Sequence, residues 1–71
     1  MTDKQETDFL VTTYGSVWTF QPLTDIAKDF TKNNLDVQDW QWMGRAFGVD
    51  YRIANDLLIA LEDEGFVMEI R

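Results

Sequence analysis

Hydrophobic and polar positions change period several times along the chain, and each change marks an element. From Phe9 to Phe20 they alternate around Gly15-Ser16. β-Branched and aromatic side chains dominate both flanks: Phe9, Val11, Thr12, Thr13 and Tyr14, then Val17, Trp18, Thr19 and Phe20. This is the pattern of a β-hairpin, with Gly15 supplying the positive φ of a type II′ turn. Pro22 then stands where a helix tolerates proline. Leu23, Ile26, Ala27 and Phe30 follow at i, i+3, i+4 and i+7, predicting a short amphipathic helix that ends near Asn33-Asn34. Its other face carries Asp25, Lys28, Asp29 and Lys32, expected to form solvated ion pairs.

Asp36 suits the N-cap of a second helix over 37–47, in which Val37, Trp40, Phe47 and either Met43 or Gly44 share one face and Gly48 forms the C-terminal stop. Asp50 then caps a third helix with a stripe of Tyr51, Ala54, Leu58 and Leu61, widened by Ile53 and Leu57 and stopped by Gly65. Phe66 to Ile70 alternates with the period of a strand that buries one face. Two helices joined by a tight turn containing Gly, with a strand after the second, have the arrangement of a helix-turn-helix with a wing. The expected fold is therefore α+β: a small winged helix-turn-helix with three helices, an N-terminal β-hairpin and a C-terminal strand. It occupies 9–71 as a single domain, after a flexible N-terminus over 1–8.

Composition narrows the function. With 71 residues, 45% of them hydrophobic and including five Phe, three Trp and two Tyr, the chain supports one core and no second. It has no cysteine and no histidine, which removes thiolate nucleophiles, the commonest general base and the commonest metal ligands. No catalytic residue, metal site or cofactor is expected. Glu62-Asp63-Glu64 lacks the loop spacing of an EF-hand and reads as a solvated helix end. Thirteen acidic residues against six basic ones give a net charge of -7, which opposes attraction to phosphate or anionic lipid. No run of about 18 apolar residues occurs, and the start MTDKQETDF lacks the stretches of a signal peptide, so a soluble cytoplasmic protein without membrane contact is expected.

Trp40 and Trp42, two positions apart on the expected second helix, would point roughly 200° from each other. Trp40 shares the stripe of Val37 and Phe47 and is expected in the core. Trp42 falls on the outer face near Arg45, either as a protein-binding hot spot or packed beneath the N-terminal hairpin. Arg45 either touches a phosphate or pairs with Asp39, Asp50 or Glu62. Asn55 and Asp56 lie on the outer face of the third helix.

Four segments carry a resemblance: Pro22-Leu23, Arg45-Ala46-Phe47, Tyr51-Arg52-Ile53-Ala54, and Glu62 through Val67. Over Pro22 to Met68 the chain resembles the gamma domain of FtsK-type DNA translocases, a small winged helix that recognises oriented chromosomal motifs. The resemblance implies duplex DNA as partner and the third helix as reader. The family opens that helix with Gly-Tyr-Asn-Arg-Ala-Ala-Arg, whereas this chain has Asp50-Tyr51-Arg52-Ile53-Ala54-Asn55-Asp56, replacing two basic positions with Ile53 and Asp56. Arg52 remains for guanine and Asn55 for adenine. In place of the family's second wing strand, the N-terminal hairpin is expected to complete the sheet.

Two functions follow. The favoured one is an acidic, non-enzymatic module that binds a basic or nucleic-acid-binding protein, as a contact surface or a DNA mimic of the kind found among small phage and mobile-element proteins. Trp42, Arg45, Asp50, Arg52, Asn55 and Asp56 form its contact set. The alternative is double-stranded DNA binding, with Arg52 and Asn55 on bases and Lys28, Lys32 and Arg45 on backbone. Self-association is left open.

Overall fold

A computed structural model describes residues 6–71. The N-terminal hairpin forms as the alternation requires: β1 (Phe9–Tyr14) pairs antiparallel with β2 (Val17–Pro22), and Gly15 at the turn has φ +62°. Pro22 closes β2 opposite Phe9 instead of opening a helix. A strand end tolerates a residue with no N–H to donate. The helix begins later. α1 (Asp25–Asn34) is capped by Thr24, whose hydroxyl accepts from the Ala27 N–H at 3.1 Å.

The expected second helix over 37–47 does not form. A 3₁₀ turn at Asp39–Gln41 leads into β3 (Trp42–Met43), and Gly44, at φ +69°, turns the chain back into β4 (Ala46–Asp50). Phe47 pairs with Phe20, Gly48 with Thr19 and Val49 with Trp18. The apolar positions thus obey a period of two against a strand that would otherwise be an open edge, and ladder hydrogen bonds plus Phe47 burial outweigh the weak local helical pattern. With Gly48 inside a strand there is no helix-turn-helix. The winged three-helix fold is corrected to an α+β domain in which the described residues form two helices and one five-stranded mixed sheet, ordered β3-β4-β2-β1-β5.

Asp50 ends β4 and caps α2 (Tyr51–Asp63) directly, as the sequence indicates, and Gly65 follows the helix at φ +95°. β5 (Met68–Ile70) lies parallel to β1. Strand register places Phe9, Val11, Trp18, Phe20, Phe47 and Val49 on one sheet face. Ala27 of α1 and Ala54 and Leu61 of α2 pack against that face. Leu10, Thr12, Val17, Thr19 and Met43 point to the other face.

The stripe of α2 is narrower than expected. Ala54 and Leu61 are buried and Leu57 and Leu58 partly so, but Tyr51 and Ile53 are exposed. With no loop between β4 and α2, the first helical turn projects past the sheet, and the Tyr51 N–H donates to the Ser16 carbonyl at 2.9 Å.

Asp8 ties three segments together, accepting from the Thr24 hydroxyl at 2.7 Å and from the Val67 N–H at 2.9 Å. Residues 1–5 of the expected flexible terminus lie outside the described residues.

Candidate functional site

The β3–β4 hairpin separates two surfaces of different chemistry. Successive strand residues point to opposite faces, so Trp42 turns toward α1 and Met43 away from it. The six contact residues expected from sequence are divided accordingly. Trp42 and Arg45 line one surface and Asp50 the other, with Arg52 bonded to Asp50, while Asn55 and Asp56 line neither.

The first surface is a groove of about 740 Å³ between α1 and the hairpin. Leu35, Val37 and Trp42 give it apolar walls, and Lys28, Lys32 and Arg45 give it charge. Lys28 and Lys32 are four apart on α1, which stacks them on one face about 6 Å apart at Cβ. Arg45 reaches the groove because Gly44 turns the chain back at that point. No Asp or Glu lines the groove among the described residues, although the chain holds 13. The expected ion pairs along α1 and the expected pairing of Arg45 are also absent among those residues, where the two salt bridges are Arg52–Asp50 and Arg71–Glu69.

The second surface is apolar and more open. Trp40, which the helical pattern assigns to the core, is 81% exposed here because the 3₁₀ turn carries it outward, whereas Trp42 at 36% stands edge-on to Phe47. The core expectation for Trp40 is thereby overturned, while Trp42 remains partly exposed. Trp40, Met43, Val17 and Ile53 surround a cleft of about 450 Å³ bordered by Asp50. Ile53 is 62% exposed and Met43 55%. Sequence reasoning missed this patch because it needs β3, not a helix. The available signal was Gly44-Arg45, a two-residue turn between Trp42-Met43 and Phe47-Val49.

Asp50 and Arg52 form a closed unit at the rim. Asp50 Oδ1 accepts from the Arg52 N–H at 2.9 Å and from its Nε at 3.1 Å. The Arg52 side-chain hydrogen bond, then its backbone N–H, holds the Asp50 carboxyl below the ordinary carboxylate range, and Asp50 in turn raises the pKa of Arg52. Arg52 and Arg45 stand beyond opposite ends of β4, whose own span is about 13 Å. Asn55 and Asp56 are exposed on the next turn of α2.

Among the described residues no group of three or more His, Cys, Asp or Glu side chains is placed to hold a metal ion, and no helix is long and apolar enough to cross a membrane. Comparison of the chain with protein-family models, with curated proteins and with solved structures finds no match.

Proposed function

We propose that this protein acts by binding rather than by catalysis, and that the patch around Trp40 is the surface it presents to a protein partner. The observation that carries the reading is the exposure of Trp40, Met43, Val17 and Ile53 at one cleft, a concentration of large apolar side chains that water does not favour. A Trp and a Met at the centre with a polar rim is the composition of an interface hot spot. The -7 net charge favours a partner whose own apolar patch is ringed by Lys or Arg and accelerates its capture.

Duplex DNA is the competing reading, through Arg52 and Asn55 on bases with Lys28, Lys32 and Arg45 on phosphates. It is less well supported: Asp50 occupies the Arg52 guanidinium, and the other three cations gather in a groove on the far side of the hairpin.

Cross-linking the purified protein in extract and identifying what it captures tests the choice, with Trp40→Ala as the comparison. Capture of a basic protein, lost in Trp40→Ala while the melting curve stays unchanged, supports the surface. Saturable binding to duplex DNA at low salt that Arg52→Ala abolishes and Trp40→Ala spares would overturn it.

A further inference from the structure

We infer that the groove between α1 and the β3–β4 hairpin is a second binding site, distinct from the Trp40 patch, that takes a short acidic peptide segment with aliphatic anchors. Three of the six basic residues of a strongly acidic chain converge there, and no carboxylate lines the groove among the described residues. Random placement of 13 acids and six bases would put acids at such a site. Lys32 also lies in the last turn of α1, where it complements the helix dipole, but that explains neither Lys28 nor Arg45.

The walls choose the ligand. Leu35, Val37 and the indole of Trp42 offer apolar surface in the same groove as the three cations, so the occupant carries both carboxylates and apolar side chains. A DNA duplex offers phosphates but no apolar side chain for Leu35, Val37 and Trp42. A single strand brings a phosphate at every nucleotide, and its long polyanion meets the repulsion of the remaining carboxylates. A segment with two or three carboxylates matches the three cations and ends before that repulsion accumulates. The long, exposed Lys and Arg side chains that line the groove suit mobile carboxylates rather than one fixed anion.

The probe is a fluorescein-labelled peptide of alternating glutamate and leucine, titrated by anisotropy with the intact protein at low salt. The expected result is saturable binding, weakened at least tenfold by Lys28→Gln/Lys32→Gln or by Arg45→Gln and at least fivefold by raising salt. It is also lost in the peptide with glutamine for glutamate, and unchanged by Trp40→Ala. Equal binding by the Gln variants overturns the assignment, as does tighter binding of oligothymidylate than of the acidic peptide, or no saturation at millimolar protein. All the substituted side chains are exposed, and matching melting curves verify that the variants fold. Because Trp40→Ala reports only on the other surface, failure here is distinguishable from failure of the protein-partner reading.

Discussion

Trp42 stands edge-on to Phe47, with ring centroids 5.4 Å apart and planes at 71°, and Phe47 lies stacked on Phe20 at 5.6 Å. The groove wall is thereby coupled to the centre of the core, since Phe20 and Phe47 are both fully buried. Phe47→Ala removes the middle ring of the three. It is expected to cost about 3–5 kcal/mol, lowering Tm by more than about 12 °C in a domain this small or leaving the chain unfolded. Thermal denaturation followed by circular dichroism measures it; a loss under about 1 kcal/mol would mean that the hairpin is not anchored through this ring.

Two glycines of the hairpin should respond unequally to alanine. Gly44 has φ +69°, so Gly44→Ala strains the turn by about 1–2 kcal/mol although nothing crowds the new methyl. At Gly48 the backbone is ordinary strand, and an added Cβ would come within 2.9 Å of Met43 Cε, the free end of a flexible side chain that can swing aside. Gly48→Ala is expected to change stability by no more than about 0.5 kcal/mol. Urea denaturation of both variants checks the pair. Were Gly48 a helix terminator, Gly48→Ala would be the damaging change.

Thr24 caps α1 and also donates to Asp8, which in turn accepts from the Val67 N–H. Thr24→Ala therefore removes a cap and one bond of a three-segment tie, at an expected cost of about 1–2 kcal/mol with an unchanged urea m-value. A cost below about 0.3 kcal/mol would show the tie to be idle.

The Asp50–Arg52 pair sets a pH dependence with a definite sign. A carboxyl held below its ordinary range contributes stability that is present above the unfolded-state value of about 3.9 and lost as pH falls through the lower folded value. Asp50→Asn keeps a capping oxygen but removes the charge. The gap in Tm between the wild type and this variant should be open at pH 7 and close as pH falls below about 4. A gap that persists to pH 2 would assign the effect to side-chain shape instead of charge.

Elements with strong local determinants were legible from sequence. The alternation around Gly15 marks the first hairpin, and Asp50 with the Ala54, Leu58, Leu61 spacing marks α2. The segment 37–50 was not legible, because Val37, Trp40 and Phe47 also fit a helix, and what selects strands is the exposed edge of β2, a partner no local window contains. That misassignment propagated into the candidate site by placing Trp40 in the core, when it is the most exposed of the described large apolar side chains. Arg45 was found, but its company with Lys28 and Lys32 depends on the Gly44 turn.

The sheet is finished by a contact between its most distant parts. β5 adds beside β1 in parallel, and Val67 bonds back to Asp8 across 59 positions. During synthesis, the outer side of β1 therefore stays bare until residue 70 has left the ribosomal tunnel. Helices and hairpins can assemble earlier, but this seam closes only after translation has passed it. A nascent chain stalled before β5 emerges presents an unpaired edge to chaperones and to neighbouring chains.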